Sequence, residues 1–141
     1  MIWFAEYSLE ALRDFTNNNM NTHIGIEFTE LGPDFIAAKM PVDNRTRQPF
    51  GILHGGASVV LAETLGSMGA GLTIDPAKYQ CVGQEINANH LRSVSEGYVY
   101  GKAKPVHIGR TTQVWSIEIT NEQGKMVCIS RITMAVVPIR S

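Results

Sequence analysis

The chain has 141 residues, a formal net charge of −1 and 44% hydrophobic residues. This length predicts one domain over residues 1–141, and the near-neutral charge gives no electrostatic reason to expect nucleic acid or an anionic membrane as a partner. No apolar run approaches the roughly 20 residues of a membrane-spanning helix, and the start lacks the pattern of a secretory signal. Cys81 and Cys128 are isolated, which favours reduced thiols over a disulfide or a metal site. We therefore expect a cytoplasmic protein without a metal.

The first third of the chain predicts a short helix, a hairpin and a loop. Ser8 precedes apolar residues at helical spacing, which predicts a capped helix that ends near the polar run TNNNMN. Two alternating segments, IGIEFTELG and FIAAKMPV, are separated by Gly32, Pro33 and Asp34, as in a hairpin. The segment Asp43–Gly51 is polar and rich in turn-forming residues, so we expect a surface loop there.

The rest of the chain predicts one long helix followed by four strands. The helix extends from about Gly55 to Leu72, and Asp75-Pro76 ends the region. Four alternating or β-branched runs follow, namely QCVGQEINANHL, GYVYGKAKPVHI, TTQVWSIEIT and KMVCISRITMAVV. Because short turns join them, we predict a meander of strands behind one central helix. The fold class is then α+β with an antiparallel sheet.

Small residues are concentrated on this helix. A glycine inside a helix costs about 1 kcal/mol relative to alanine, so several of them require a reason. We expect a close approach of the sheet, of another backbone or of a ligand at the small residues, which are Ala57, Ala62, Gly66, Gly69 and Ala70.

Glu63 is an isolated acid on an otherwise apolar helix. It is either a solvated surface residue or a partly desolvated carboxylate with a raised pKa. Its neighbours on the same helix face include no other charge, which favours the functional interpretation. Ser67 lies one helical turn further on, where it can share a hydrogen bond or a water molecule with Glu63.

His54, just before the helix, invites pairing with Glu63, but nine residues of helix place the two half a turn and roughly 13 Å apart. If both serve one site, a second copy of the chain must supply one of them. Gly55 and Gly56 offer free backbone N–H groups at the helix start, which can polarise a carbonyl oxygen. A capping or turn role is the alternative for His54. The sequence contains no G-x-S-x-G elbow, Walker loop, Rossmann fingerprint or HExxH motif.

Three separate segments resemble one family of proteins. QPFGILHGGASVVLAETLGS, VGQEINANHLRS and HIGRTTQVWSIEI are similar to the hotdog-fold thioesterases, and in particular to the bacterial 1,4-dihydroxy-2-naphthoyl-CoA hydrolases and their aryl-carrier-protein proofreading relatives. The resemblance extends over nearly the whole chain. It implies a long central helix wrapped by an antiparallel sheet, a dimer with a continuous sheet and shared active sites, and usually a tetramer of two dimers.

The resemblance also implies roles for individual residues. Glu63 would be the catalytic carboxylate, as nucleophile or as general base for water. Gln48, His54 and the Gly55 N–H would polarise the thioester carbonyl, Ser67 would support the acid and the attacking water, and Met68 would line the acyl pocket. The positions that match coenzyme A contacts are Gly83, His90, Arg92, Ser93, His107, Ile108, Gly109, Arg110, Thr111 and Thr112. Without the resemblance, surface solubility or ion pairing is the commoner role for Arg92 and Arg110.

We therefore expect a hydrolase of acyl-CoA thioesters, with aromatic acyl groups such as 1,4-dihydroxy-2-naphthoyl or benzoyl, and a place in menaquinone biosynthesis. Coenzyme A would be part of the substrate, and no metal or other cofactor is expected. Two alternatives stay open. The substrate could be a misloaded acyl or aryl carrier protein, or the chain could be a hotdog protein that binds acyl-CoA without hydrolysing it.

Overall fold

A computed structural model describes residues 1–140 of the chain. Its helices and strands, numbered in chain order, are α1 Leu9–Phe15, α2 Met20–His23, β1 Glu27–Leu31, β2 Ile36–Pro41, α3 Gly55–Leu72, β3 Tyr79–His90, β4 Tyr98–Ile108, β5 Thr112–Thr120 and β6 Met126–Pro138. The long helix and all six strands fall where the sequence predicts them. None of these helices, over residues 1–140, combines the length and hydropathy needed to cross a membrane.

The strands form one antiparallel sheet in the order β1-β2-β4-β5-β6-β3. The fold class predicted from the sequence is confirmed, but the simple meander is wrong. Strand β3 pairs with β6, not with the next strand in the chain, so residues 91–97 cross the ends of β6 and β5 before β4 begins. This crossing is physically easy because seven extended residues span about 23 Å, and three strand spacings need only about 14 Å.

Helix α3 packs closely on one face of this sheet. A Cβ atom added to Gly66 would lie 2.5 Å from Ile132 Cγ2 on β6, and one added to Gly69 would lie 2.7 Å from the Trp115 ring on β5. Both glycines are buried. The sheet therefore approaches the helix backbone as the small residues predicted, and the cost of helical glycine is offset by this packing.

The N-terminal segment, residues 1–26, lies against the C-terminal half of α3. The Phe4 N–H donates to Leu72 O at 2.8 Å, and the Trp3 ring stacks on Trp115 with centroids 6.3 Å apart. Ser8 caps α1 as predicted, since its hydroxyl accepts a hydrogen bond from Ala11 N. Helix α2 was not predicted, because it has only four residues, three of them polar, and is stabilised by a capping box between Asn19 and Thr22.

The two edges of the sheet differ strongly. The β1 edge has five residues and a register shift between Phe28 and Glu30. The β3 edge has twelve residues, most of them exposed, and pairs on one side only, with β6. Within residues 1–140, β3 therefore presents a long row of backbone N–H and C=O groups with no partner strand.

Candidate active site

Helix α3 presents Glu63 at a cavity of about 680 Å³. The lining is mostly apolar, and Glu63 is its only carboxylate; the lining residues are Tyr7, Ala11, Leu12, Phe15, Thr16, Asn19, Asn21, Glu63, Thr64, Ser67, Met68, Gly71, Leu72, Pro76 and Cys81. Ligand pockets are commonly about 300–1,000 Å³ and lined in this way. Glu63 itself is exposed in the single chain, so this chain alone does not provide the desolvation that the sequence suggested.

Ser67 and Met68 line the same cavity as Glu63, which agrees with their predicted location. The predicted direct hydrogen bond between Ser67 and Glu63 is absent from residues 1–140, because the Ser67 hydroxyl donates to Met134 Sδ on β6 at 3.8 Å. A thioether is a weak acceptor, so this hydroxyl exchanges its partner at little cost when a water molecule or substrate enters.

Cys81 contributes a thiol from β3 to the cavity wall. Burial raises the pKa of this thiol, which keeps it protonated at neutral pH and makes it a poor nucleophile. Sequence reasoning assigned Cys81 no place in the site. The pairing of β3 with β6 brings it there, and no local motif signals that pairing.

Gly83, one of the predicted coenzyme contacts, lies beside Glu63. A Cβ atom added to Gly83 would lie 3.2 Å from Glu63 Oε1 and 4.0 Å from Met134 Sδ. The absence of a side chain at Gly83 thus leaves the space that the Glu63 carboxylate occupies. Gly83 also sits at a register shift in β3, between Gly83 and Glu85.

His54 is the N-cap of α3. Its Nδ1 accepts a hydrogen bond from the Gly56 N–H at 2.8 Å, so the neutral imidazole carries its proton on Nε2, which is left as a donor. The capping alternative for His54 is therefore confirmed. The sequence predicted free N–H groups at both Gly55 and Gly56. This is wrong for Gly56, because its N–H donates to the His54 cap. The Gly55 N–H has no acceptor within residues 1–140.

Gln48 lies in the loop before α3. Its Oε1 accepts a hydrogen bond from the Phe50 N–H, so the side-chain NH₂ group is left to donate elsewhere. The loop is fixed by backbone contacts with the β3–β4 connection, including Leu53 N to Val94 O at 2.8 Å. The Arg47 Nε donates to Ser95 O at 2.9 Å, which adds a side-chain contact.

His90, at the end of β3, packs over the start of α3. A Cβ atom added to Gly55 would lie 2.8 Å from His90 Nε2. The sequence placed His90 among the coenzyme contacts; in the structure its imidazole lies over Gly55, at the positive end of the helix.

These residues form two separate regions in one chain. The carboxylate region is Glu63, Ser67, Met68 and Gly83, and the helix-start region is Gln48, His54, Gly55 and His90. Along β3, Gly83 pairs with Met134 and His90 with Cys128. These two partners are six residues apart on β6, or roughly 20 Å.

The residues that match coenzyme A contacts are divided in the same way. Arg92 and Ser93 follow His90 and lie near the helix-start region. The hairpin of His107, Ile108, Gly109, Arg110, Thr111 and Thr112 lies at the opposite end, since the next residue, Gln113, pairs with Met134. Arg92 and Arg110 are exposed and form no ion pair within residues 1–140.

No group of three or more His, Cys, Asp or Glu side chains in the described part of the chain is arranged to hold a metal ion. The candidate site consists of one carboxylate, several hydrogen-bond donors and an apolar cavity. This set can activate water or attack a carbonyl carbon, and it can polarise a carbonyl oxygen.

Comparison with known proteins supports this chemistry. Residues 50–128 match the model of the thioesterase superfamily. The chain is 52% identical to the 1,4-dihydroxy-2-naphthoyl-CoA hydrolase of Escherichia coli K12, over 96% of this chain and 99% of that protein. It is 53% identical to the proofreading thioesterase EntH of Cronobacter turicensis, over 96% of this chain and 98% of that protein.

A crystal structure of a Haemophilus influenzae thioesterase superposes with a TM-score of 0.96 at 46% identity and covers 100% of this chain and 98% of that one. The chain belongs to the thioesterase superfamily and has the hotdog fold. It is an enzyme that hydrolyses thioesters. The family resemblance drawn from the sequence is thereby confirmed.

Proposed function

We propose that the chain hydrolyses aromatic acyl-CoA thioesters to the free acid and coenzyme A, with Glu63 as the catalytic carboxylate. The observation that carries this proposal is the position of Glu63 as the only carboxylate lining a largely apolar cavity. The E. coli relative is named for hydrolysis of an aromatic acyl-CoA ester, and this supports both the acyl class and a role in menaquinone biosynthesis.

A dimer formed along the free edge of β3 would join the two regions of the site. A two-fold axis near the middle of β3 pairs the strand with its copy in antiparallel fashion. The His90 end of one chain then lies beside the Gly83 end of the other. The helix-start region of one protomer faces the carboxylate region of its partner, and the sheet becomes continuous. Pairing of two such dimers gives the proposed tetramer.

The proposed mechanism uses these groups as follows. The thioester oxygen accepts hydrogen bonds from the Gly55 N–H, the His54 Nε2–H and the Gln48 NH₂ of one protomer, which stabilise the developing oxyanion. Glu63 of the other protomer takes a proton from water as the water oxygen bonds to the carbonyl carbon. Collapse of the tetrahedral intermediate breaks the C–S bond, and the thiolate takes up the proton from Glu63. Attack by Glu63 itself, through an anhydride that water then hydrolyses, uses the same residues.

The coenzyme would lie along the dimer interface. Arg92 and Ser93 come from one end of a chain and the 107–112 hairpin from the other, so in the dimer proposed above they approach each other across the interface. The exposed guanidinium groups of Arg92 and Arg110 suit phosphate oxygens because they are planar multidentate donors. The coenzyme is part of the substrate, and the steps above use only residues of the chain.

The second candidate substrate is an acylated carrier protein. The proofreading thioesterase EntH relative is 53% identical to the chain, and a phosphopantetheine arm presents the same thioester to the same residues. Turnover of one aromatic acyl group on coenzyme A and on an aryl carrier domain separates the two candidates.

Replacement of Glu63 by Gln tests the proposed function. We expect kcat for benzoyl-CoA to fall by about 10²–10⁴, because a positioned general base typically contributes this much. Glu118→Gln is the matched control, since Glu118 is exposed on β5 between buried Ile117 and Ile119 and thus faces away from α3. Turnover by the Glu63→Gln protein at the rate of the control would refute the role of Glu63. Equal or greater kcat/KM for aliphatic esters would refute the aromatic assignment.

A further inference from the structure

The acyl cavity has a polar wall as well as an apolar one. The N-terminal segment supplies Thr16, Asn19 and Asn21, and α3 supplies Thr64 next to Glu63. Asn21 is half-buried while Asn19 is exposed. The apolar contacts come from both elements, including Tyr7, Leu12 and Met68. A ligand that fills this cavity meets both kinds of surface.

Most polar atoms of this wall are already engaged inside the chain. The Thr16 hydroxyl donates to Leu12 O at 3.0 Å, and Asn19 Oδ1 accepts from Asn21 N at 3.0 Å. These contacts stabilise α1 and α2 and are local. They use the Thr16 hydroxyl and Asn19 Oδ1; the Nδ2 group of Asn19 stays free, but Asn19 is exposed whereas Asn21 is half-buried.

The Asn21 side chain is held in one orientation by α3. Thr64 Oγ1 donates to Asn21 Oδ1 at 2.9 Å, and the Asn21 backbone oxygen accepts from Ile26 N at 2.8 Å. With Oδ1 engaged, the Asn21 Nδ2 group carries two N–H donors that have no acceptor within residues 1–140. A fixed donor in the wall of an apolar cavity favours a ligand that brings an acceptor to it.

We propose that Asn21 determines acyl specificity by donating a hydrogen bond to a ring hydroxyl group, so that the pocket prefers hydroxylated aromatic acyl groups over unsubstituted ones. This inference rests on the proposed function because it places the acyl group in the Glu63 cavity. Asn21 contacts the acyl ring only. The reacting carbonyl is polarised by the helix-start region and attacked with the help of Glu63. The preference arises because an unsubstituted ring in the cavity displaces water from the half-buried Asn21 donor without offering it an acceptor.

Binding of non-hydrolysable analogues tests this role without depending on turnover. In phenacyl-CoA a CH₂ group separates the sulfur from the carbonyl, so no thioester is present. We would measure Kd by calorimetry for phenacyl-CoA and for its 2-, 3- and 4-hydroxy isomers. We expect the wild type to bind at least one isomer about 3- to 10-fold more tightly than phenacyl-CoA, as one net hydrogen bond provides. We expect Asn21→Leu to abolish this ratio.

Two control variants separate the Asn21 donor from the shape of the wall. Thr64→Val removes the same Thr64–Asn21 hydrogen bond but leaves the Asn21 amide, and Tyr7→Phe removes only the phenol hydroxyl of the cavity. Tyr7→Phe should keep the preference. Thr64→Val should weaken it without abolishing it, because the Asn21 amide stays but is no longer held in one orientation. Thermal melting and phenacyl-CoA binding show whether each variant is folded.

The inference is overturned by a wild type without a preference, by an Asn21→Leu protein that keeps it, or by loss of the preference in either control. Failure of the proposed function looks different. In that case the preference in Kd is present and depends on Asn21, but Glu63→Gln leaves hydrolysis of the corresponding thioesters unchanged.

Discussion

The carboxylate region and the helix-start region are built in opposite ways. Glu63 of the carboxylate region stands at a cavity enclosed by α3, β3 and the N-terminal segment, so this region can hold a ligand by its shape. The helix-start region lines no part of that cavity and presents exposed or half-buried donors, oriented by a cap at His54 and a turn at Gln48. In the proposed mechanism one region binds the acyl group and the other polarises the carbonyl oxygen. Neither region is then a complete active site, because α3 holds His54 and Glu63 roughly 13 Å apart within one chain.

The largest expected effect is the recovery of activity when two inactive variants, one from each region, are combined in one dimer. Glu63→Ala removes the carboxylate and His54→Ala removes a donor, and each homodimer should lose about 10²–10³ in kcat or more. When the two proteins are unfolded and refolded together, half of the dimers are mixed and each has one intact site. We expect about a quarter of wild-type activity to return, because the symmetry of the dimer places Glu63 and His54 of one site on different chains.

The control for this experiment is the same pair of proteins refolded separately and then combined without subunit exchange. Activity should stay at the level of the single variants there. If joint refolding also restores nothing, Glu63 and His54 of a site lie on one chain, and the shared site is rejected.

Disruption of the β3 edge should have the next largest effect. The double change Gln84→Lys and Asn87→Lys places four like charges, two from each chain, close to the proposed two-fold axis, where they repel. We expect light scattering to show dissociation to monomers, with a loss of activity of about tenfold or more that high protein concentration partly restores.

Thr29→Lys is the matched control for the edge variant, because Thr29 is exposed on β1, at the opposite edge of the sheet from β3. It should leave the assembly and kcat at wild-type values. A fully active monomer of the double variant would contradict the interface on β3.

Two glycine substitutions should separate the function of the site from the packing of the fold, with the smallest effects. In Gly83→Ala the new Cβ would lie 3.2 Å from Glu63 Oε1, and a flexible carboxylate yields easily. We expect kcat to fall about tenfold with little change in melting temperature, since small misplacements of a reacting group are costly.

In Gly66→Ala the new Cβ would lie 2.5 Å from Ile132. This overpacking should lower the free energy of unfolding by about 1–3 kcal/mol. A Gly83→Ala protein that keeps kcat but melts at a lower temperature would contradict the position of Gly83 beside Glu63. A Gly66→Ala protein that keeps its melting temperature but loses kcat would contradict the position of Gly66 against β6.

The elements that depend on local pattern could be predicted from the sequence. Helix α3 extends from Gly55 to Leu72 as predicted because a His-Gly-Gly start and an Asp-Pro stop bracket one apolar segment. The half-turn between His54 and Glu63 also follows from helix geometry alone. The family resemblance selected Gln48 and the coenzyme positions, which no local pattern identifies.

The features that depend on distant pairing could not be predicted. Ser67 donates to Met134, which is 67 residues away in the chain, and Asn21 meets Thr64 across 43 residues. The pairing of β3 with β6 moves Gly83 next to Glu63. No periodicity within either partner encodes such contacts, so the polar wall of the cavity emerges only in the folded chain.

The unequal edges of the sheet have a consequence for solubility at high concentration. Strand addition at an open edge is also how chains polymerise into fibrils. Here the bulged five-residue β1 edge offers little template, whereas the twelve-residue β3 edge is open. In the proposed dimer, self-pairing at β3 would consume that edge on both molecules at once, so growth would end after a single addition and give a closed particle instead of an endless ribbon.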